Sequence, residues 1–368
     1  MNKEKLLNIL KNTAAVVVIL SMFVIIFYQN RDRDIFKFKD EENSSVITSQ
    51  GGDAVRFSGG DIRKVGDRVA YITTTSLNFY NEAADCESVT LALSKPVLHT
   101  EGEYLVCYNE DSLEAEVYKE NRLYYSIKTE NRIVGAKVNK NGYLLIATEK
   151  EGYNCECMIY NRSGEAIFKW DISKSEFIDA DINYDNDAIV LSLAAAGKEK
   201  LVGEIILLDI TDAKVIEKKT FDSKVFYSVN FNRNGTFTAL GSHTLSYFNA
   251  DGTQKWAYDY EEKTLIKADV SNPDMMVTAL SDSGSVTVKV INRLGKVTAE
   301  KSYTEMIDDI SVSESGIGLA FGKNIYITDS SLHEKKNIQS KFGANKIELY
   351  NDNKHLFVLG SADAEILE

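Results

Sequence analysis

Apolar and polar residues alternate along most of the chain in short runs, a period typical of half-buried β-strands. One kind of turn separates these runs at regular intervals: an apolar residue, a short polar residue, two variable positions, and then Gly, Asn or Asp. Its second position recurs about every 41 residues. The eight copies are Ile62–Gly66, Leu98–Gly102, Val138–Tyr143, Ile182–Asp187, Phe231–Thr236, Val270–Asp274, Val312–Gly316 and Tyr350–Lys354.

A second signature follows each of the first seven turns after about twenty residues, as an apolar residue and then a polar one. Tyr160-Asn161 and Phe248-Asn249 are examples. Each repeat therefore reads as strand, turn, strand, loop, strand, turn and strand. Four antiparallel strands in about 41 residues are the unit of a β-propeller blade. We predict an all-β chain with eight four-stranded blades over residues 45–368; seven blades are the alternative, because the first two turns fit the pattern least well.

The eighth repeat ends after its third strand. Strand-like sequence that belongs to no other repeat precedes the first turn, at Ser45–Thr48 and Ala54–Phe57. We expect this segment to supply the missing strand and so to remove an open sheet edge.

The residues between Lys11 and Arg31 carry no charge, and at 1.5 Å per residue they span roughly the 30 Å hydrocarbon core of a bilayer. We predict a tail over residues 1–12, a transmembrane helix over 13–30 and a charged linker over 31–44. A cleaved signal peptide needs small residues at its cleavage site, and Phe27 to Arg31 supply none. Basic residues flank the helix on both sides, so charge does not orient it. Because such segments normally act as export signal and anchor, we expect the propeller outside the cytoplasm.

The net charge is −13, from 42 Lys+Arg against 55 Asp+Glu, and this balance excludes a nucleic-acid partner. The chain has four cysteines, too few for a disulfide-built scaffold. Cys155 and Cys157 lie two residues apart on a predicted strand and point to one face, which suits neither a mutual disulfide nor a zinc site. We expect Cys86, Cys107, Cys155 and Cys157 to be buried thiols.

Enzyme signatures are missing: the sequence has no Gly-x-Ser-x-Gly, P-loop, His-Glu-x-x-His or Gly-x-Gly-x-x-Gly motif. Its four histidines fall in four blades, which disfavours a shared metal site, and we expect exposed turn residues at His99, His243, His333 and His355. Acidic and amide residues alternate from Asp181 to Asp187 as in a calcium loop. Asn186 and Ser192 stand where an EF-hand needs Gly and Glu, so a hairpin turn is the favoured interpretation.

Tyrosines crowd the second repeat, where a stacking surface for sugars is conceivable. Tyrosine is also a favoured strand residue, so packing is the preferred explanation. The five are Tyr104, Tyr108, Tyr118, Tyr124 and Tyr125.

The repeats resemble those of WD40-like and quinoprotein-like propellers. The segment Asp251–Trp256 is similar to the Gly and Trp ending of quinoprotein-type repeats, and Asn161–Trp170 is a looser copy. Over its full length the chain resembles single-pass membrane-anchored propeller proteins of Gram-positive bacteria. This resemblance implies the fold and carries no functional residue to transfer.

Together these features predict a membrane-anchored, extracytoplasmic, non-enzymatic scaffold for a protein or a cell-envelope polymer. We expect no cofactor, no bound metal and no catalytic residue, since loops on a rigid ring are suited to binding. The alternative function is a cell-envelope hydrolase or lyase that uses paired acidic residues in the propeller channel.

The spacing between the two signatures predicts where a partner binds. It widens in repeats two to four, so we expect Asn109–Glu116, Glu149–Asn154 and Ala194–Glu204 to form one raised patch of loops. The predicted partner-binding residues on this patch are Glu110, Asp111, Glu114, Glu151, Lys198 and Lys200.

Overall fold

A computed structural model describes residues 60–197, 200–282, 284–361 and 364–368, together with the backbone of residues 45–47 and 55–57. Its strands form seven four-stranded antiparallel sheets, a three-stranded sheet and a separate two-stranded ladder. The seven sheets and the three-stranded one are the eight blades of a propeller, so the predicted eight-bladed ring is confirmed and the seven-bladed alternative is wrong.

The predicted tail (1–12), transmembrane helix (13–30) and linker (31–44) lie outside the described residues. Within the described part of the chain, no helix combines the length and the apolar character that a membrane crossing requires.

The two-stranded ladder and the first four blades follow one another without crossovers. Their strands are β1 (Ser45–Ile47) and β2 (Val55–Phe57) in the ladder; β3 (Asp61–Val65), β4 (Arg68–Ile72), β5 (Ser76–Tyr80) and β6 (Cys86–Thr90) in blade 1; β7 (Pro96–Glu101), β8 (Tyr104–Asn109), β9 (Glu114–Lys119) and β10 (Arg122–Lys128) in blade 2; β11 (Ile133–Val138), β12 (Leu144–Lys150), β13 (Tyr153–Tyr160) and β14 (Ala166–Ile172) in blade 3; and β15 (Glu176–Ile182), β16 (Ala188–Ala196), β17 (Leu201–Asp209) and β18 (Lys214–Asp222) in blade 4.

The last four blades continue the same order, and the eighth has three strands in the described residues. Their strands are β19 (Phe226–Phe231), β20 (Phe237–Gly241), β21 (Thr244–Phe248) and β22 (Gln254–Asp259) in blade 5; β23 (Thr264–Asp269), β24 (Met276–Asp282), β25 (Ser285–Ile291) and β26 (Val297–Tyr303) in blade 6; β27 (Asp309–Val312), β28 (Ile317–Phe321), β29 (Asn324–Thr328) and β30 (Glu334–Gln339) in blade 7; and β31 (Lys346–Leu349), β32 (Leu356–Leu359) and β33 (Ala364–Leu367) in blade 8.

The first strand of each blade lines the central channel, and in blades 1 to 7 the fourth strand forms the outer rim. Second strands such as β20 and β28 are buried along their whole length, whereas the outer strands β6 and β30 are mostly exposed. The buried apolar side chains form eight clusters, one at each junction between neighbouring blades. The core is therefore a closed circle of interfaces between sheets.

The two sequence signatures coincide with the two hairpin turns of a blade, on one face that we call the turn face. In blade 3 the side-chain oxygen of Asn139 accepts hydrogen bonds from the backbone N–H groups of Asn141 (3.0 Å) and Tyr143 (3.0 Å). Gly142 has a φ of +79°, and a Cβ there would lie 2.5 Å from the Tyr104 ring. Asn and Gly at these positions therefore satisfy both the turn and the packing against the preceding blade.

Blade 8 closes the ring onto blade 1 through side chains. The Tyr350 hydroxyl donates to the carbonyl oxygens of Tyr80 (3.3 Å) and Asn81 (3.2 Å). Phe357 is fully buried, with its ring 6.2 Å from Tyr71 and 5.4 Å from Tyr80. The junction that carries the two ends of the ring is thus packed like the other seven.

The residues before blade 1 take a different form from the one predicted. Ser45–Ile47 pairs with Val55–Phe57, and among the described residues neither strand pairs with Ala364–Leu367 of blade 8. The backbone of Ser45–Ile47 nevertheless lies beside Ala364–Leu367. In the described residues the two short strands therefore bond to each other and do not extend the sheet of blade 8.

Replacing Tyr350 with Phe tests the closure, because the change removes only the hydroxyl group. We expect the free energy of unfolding to fall by about 0.5–1.5 kcal/mol, the usual net value of a hydrogen bond. Urea unfolding of the full chain measures it. Tyr124→Phe is the matched control, since Tyr124 is 44% exposed; equal midpoints for the two variants would contradict this account of the closure.

Candidate functional site

The inner strands display side chains at two equivalent positions in every blade, and all of these residues except Val97 and Gly135 are polar. Side chains alternate along a strand, so residues two and four positions before the first turn point to the same side. The position two residues before the turn holds Arg63, His99, Lys137, Asp181, Asn230, Asp269, Ser311 and Glu348. The position four residues before it holds Asp61, Val97, Gly135, Asp179, Ser228, Lys267, Asp309 and Lys346. We call these two sets the channel rings.

Acidic members of the channel rings bond to the backbone of the next blade. Asp179 of blade 4 accepts the N–H of Val229 (2.8 Å), and Asp181 accepts the N–H of Phe231 (2.6 Å). Each bond satisfies a backbone donor on the inner edge of a first strand, where no further strand is available to pair with it.

The same contact recurs around the ring. Asp269 of blade 6 accepts the N–H of Val312 (2.7 Å), and Asp309 of blade 7 accepts the N–H of Ile347 (2.9 Å). Ser311 and His99 act in the same way: Ser311 Oγ accepts the N–H of Leu349 (2.9 Å) and His99 Nδ1 that of Val138 (3.4 Å). We call these contacts the inner belt.

Two lysines extend the inner belt as ion pairs. Lys137 Nζ of blade 3 lies 2.7 Å from Asp179 of blade 4, and Lys346 Nζ of blade 8 lies 2.6 Å from Asp61 of blade 1. All four side chains are about four-fifths buried. Pairing at this depth offsets the cost of removing each charge from water.

Burial perturbs the ionisation of several channel groups. It raises the pKa of Asp181 to about 7, that of Asp309 to about 6 and that of Glu348 to about 8. Arg63 of blade 1 opposes the shift at both Asp309 and Glu348, so side chains from blades 1, 7 and 8 share one electrostatic environment. The channel is a common polar interior on which the eight blades converge.

His99 differs from the exposed turn residue that the sequence predicted. Burial, followed by the charges of Lys137 and Arg63, holds the pKa of His99 well below its usual value. The ring is therefore neutral at pH 7, which agrees with its Nδ1 accepting the Val138 N–H. The expectation of exposure is wrong here because repeat two turns at Gly102, three residues beyond His99, and the histidine lies inside the strand.

One side of the channel mouth on the turn face is bridged. The Tyr184 hydroxyl of blade 4 donates to Glu101 of blade 2 (2.5 Å), and Lys140 of the intervening blade 3 lies 3.9 Å above the Tyr184 ring. Burial raises the pKa of Glu101, against the effect of the Tyr184 hydrogen bond. Burial also raises the pKa of Asp181 and Tyr184, and Glu101 interacts electrostatically with both, so these three perturbed groups lie together at the channel mouth.

The calcium-like run and the cysteines are the remaining candidate sites from the sequence. Asn183, inside the calcium-like run, accepts the N–H groups of Asp187 and Ala188 (both 3.0 Å), so the run is the hairpin turn favoured above. In the described residues, no three His, Cys, Asp or Glu side chains cluster as metal ligands. Three of the four free cysteines are buried as expected, but Cys86 is exposed because it begins an outer strand.

The predicted patch lies on the face opposite the turns, which we call the loop face, in blades 2, 3 and 4. Asp111, Glu114, Glu151 and Lys200 are exposed there. Glu110 is half-buried, and its Oε2 lies 3.5 Å from Lys95 Nζ. Lys198 lies outside the described residues. Whether these six residues bind a partner stays a prediction.

The patch is built differently from the predicted loops. Only residues 110–113, 151–152 and 197–200 connect the strands, so the loops are short. The extra residues lengthen the strands: Ala188–Ala196 and Leu201–Asp209 have nine residues each, against five each in Phe237–Gly241 and Thr244–Phe248 of blade 5. The prediction of inserted loops is wrong because Ala194 to Ala196 pair with Leu201 to Gly203 and continue the hairpin.

Trp256, in the quinoprotein-like segment Asp251–Trp256, packs between two blades. Its indole N–H donates to the Arg293 carbonyl of blade 6 (3.1 Å), and a Cβ on Gly295 would lie 2.7 Å from the indole. The ring stacks on Tyr247 at 5.4 Å. The segment therefore forms a contact between blades 5 and 6.

The structure is similar to several solved propellers. The C-terminal WD40 domain of Sif2 matches with a TM-score of 0.60 at 15% identity, over 89% of this chain and 96% of that one. BamB from Moraxella catarrhalis matches with a TM-score of 0.54 at 10% identity, over 82% and 93%. Sqt1 from Saccharomyces cerevisiae matches with a TM-score of 0.57 at 9% identity, over 87% and 95%. At these identities the likeness shows the fold alone.

Sequence comparison adds one family. A model described as a family of unknown function, DUF5711, matches residues 36–368. No curated protein matches the sequence.

Replacing Asp181 with Ala tests the inner belt. The change leaves the Phe231 N–H without its acceptor, so we expect a loss of about 1–3 kcal/mol in the free energy of unfolding. Asp185→Ala, in the exposed turn of the same blade, is the control and should change stability by less than about 0.5 kcal/mol. Equal effects of the two changes in urea unfolding would show that the belt contributes nothing.

Replacing Glu348 with Gln tests the ionisation of the channel. The pKa of Glu348 is raised from 4.5 to about 8 in the folded chain, so folding favours its protonated form. This contribution is complete below pH 4.5 and is lost as the pH rises to 8. We expect Tm to fall between pH 6.5 and 8 less steeply in the variant than in the parent chain. Parallel Tm profiles would contradict a buried, protonated Glu348.

Proposed function

The chain belongs to DUF5711, a family of unknown function, and we propose that it is a membrane-anchored, extracytoplasmic scaffold without enzymatic activity. Its partner in this proposal is a protein or a cell-envelope polymer that binds the loop face of blades 2 to 4.

The observation that carries the proposal is the inner belt. A general acid or base needs a carboxylate that can reach a substrate. Asp179, Asp181, Asp269 and Asp309 instead accept backbone N–H groups at 2.6–2.9 Å. These acidic groups hold the blades together, so a rigid ring is what the channel chemistry supports best.

The loop face supports the binding part of the proposal. In blade 4 the strands β16, β17 and β18 have nine residues each, so their hairpin extends further than that of blade 5. Beside it stand the exposed acidic residues Asp111, Glu114 and Glu151. Exposed polar groups on rigid strands form a preorganised surface, which lowers the entropic cost of binding.

The anchor supports the location. The uncharged run between Lys11 and Arg31 is long enough to cross a bilayer, and the propeller follows it after the linker of residues 31–44. A single amino-terminal anchor of this kind would place the ring on the outer surface of the membrane.

A second candidate function rests on the channel mouth. Asp181, whose pKa is raised to about 7, lies in the same electrostatic environment as Glu101, Lys137 and Tyr184. Perturbed groups that share a cleft are typical of active sites. Such a group would suit the alternative function, a cell-envelope hydrolase or lyase.

One comparison separates the two candidates. We expect the full chain to be inert towards generic glycoside, ester and phosphate substrates. We also expect the double variant Glu114→Lys, Glu151→Lys to weaken capture of an envelope component at least about tenfold, because reversed charges repel a complementary partner. Glu120→Lys with Glu165→Lys, on the turn face of the same blades, is the matched control. Quantitative pull-down from envelope extracts measures capture.

Two outcomes would contradict the scaffold proposal. Turnover that disappears in Asp181→Asn would establish the channel enzyme instead. Equal loss of capture in both charge-reversed variants would remove the binding site from the loop face.

A further inference from the structure

The outer strand carries a β-bulge at the same place in blades 2 to 7. In blade 3, Tyr160 and Ile159 pair with Ala166 and Phe168, so Ile167 has no partner. In blade 4, Leu208 and Leu207 pair with Val215 and Glu217, which leaves Ile216 unpaired. The six bulged residues are Tyr124, Ile167, Ile216, Lys255, Thr298 and Lys335.

The bulged positions divide the rim into two arcs. Blades 2, 3 and 4 carry Tyr, Ile and Ile there, and these side chains are 44%, 43% and 41% exposed. Blades 5, 6 and 7 carry Lys, Thr and Lys at the same positions. Since the backbone geometry is shared, it does not require an apolar side chain at the bulge.

The neighbouring position strengthens the contrast. Leu123 in blade 2 and Val215 in blade 4 directly precede the bulge and are 55% and 45% exposed. Blades 5 and 7 have Gln254 and Glu334 in that place, and blade 6 has Val297, which is half-buried. We define the apolar arc as Leu123, Tyr124, Ile167, Val215 and Ile216.

The apolar arc exposes five apolar side chains, and their contact with water costs free energy. Its five side chains stand on three successive outer strands at the end nearest the turn face. Tyr124, Ile167 and Ile216 are the extra residues of the bulges, and Leu123 and Val215 precede two of them. Apolar side chains that gather on one side of a molecule indicate a site of contact. Exposed edge strands elsewhere on the rim carry lysines instead, as Lys335 and Lys336 do in blade 7.

The chemistry of the apolar arc fits a lipid surface. Aliphatic side chains with a tyrosine and flanking cations are typical of protein segments that lie in the bilayer interface. Arg122 precedes Leu123 and Lys214 precedes Val215, and both basic side chains are exposed. Lys214 also contacts Asp212, so part of its charge is shared within the protein.

The proposed anchor keeps the bilayer within a short distance of the ring. The linker of residues 31–44 separates the hydrophobic segment from Ser45, and fourteen residues extend to at most about 50 Å. Tethering at this distance raises the effective concentration of the bilayer around the ring, so a weak contact is sufficient to be occupied.

We propose that the apolar arc of blades 2 to 4 inserts into the interfacial region of the bilayer and sets the orientation of the ring on the membrane. This inference rests on the membrane anchoring proposed above. The occupant is the phospholipid surface itself.

The test places an environment-sensitive nitrobenzoxadiazole dye at single cysteines in the full chain, reconstituted in phospholipid vesicles. The background is Cys86→Ser, because the other three cysteines are buried. Ile216→Cys reports on the apolar arc, and Lys335→Cys reports on the equivalent bulge of blade 7. We expect a blue-shifted emission at position 216, quenched by spin-labelled lipid, and an aqueous emission at position 335.

The outcomes distinguish the two proposals. A chain that floats with the vesicles but gives an aqueous emission at both positions overturns the lipid contact while the anchor stands. A chain that does not float overturns both. A blue shift at position 216 that grows with protein concentration and resists lipid quenching assigns the apolar arc to a second copy of the chain, and so overturns the inference as well.

Discussion

The inner edge of each first strand is the constraint on which the ring depends. A four-stranded sheet has two free edges, and in a propeller one of them faces the crowded centre, where backbone N–H groups have no strand to pair with. This protein satisfies several of them with a carboxylate, hydroxyl or imidazole from the preceding blade, as Asp181 does for Phe231 and Ser311 for Leu349. One side chain thus accepts a hydrogen bond from an otherwise unpaired backbone N–H and joins two blades.

This solution explains why the channel is polar and charged in a protein whose other interior is apolar. The eight clusters of apolar side chains lie between the blades, where large surfaces are removed from water. The centre is rich in backbone donors that have no strand to pair with, so polar side chains that accept hydrogen bonds are the better occupants. Burial in this channel raises the pKa of Asp309 to about 6 and that of Glu348 to about 8, and the nearby acids Asp269 and Asp309 add to the shift at Glu348.

The sequence predicted the features that are local. Each hairpin turn is determined by a few consecutive residues, such as Asn139 to Tyr143, and the number of repeated turns predicted the number of blades. Contacts between blades could not be read in the same way, because Asp309 and Ile347 are 38 residues apart and meet only when the ring forms. A signal was present all the same: seven of the eight residues two positions before the turn are charged, amide or imidazole groups, and the eighth is Ser311. The widened spacing of repeat four was misinterpreted for a related reason, since loop length and strand length have the same effect on spacing.

The inner belt joins neighbouring blades around the channel and should make the ring stiff from the inside. Amide hydrogen exchange measured by mass spectrometry on the full chain tests this most directly. If the inner belt holds the blades, the N–H groups of Phe231, Val312 and Ile347 exchange as slowly as those in the buried second strands, because all of them open only when the ring unfolds. Rapid exchange of these inner-edge amides beside protected second strands would contradict it.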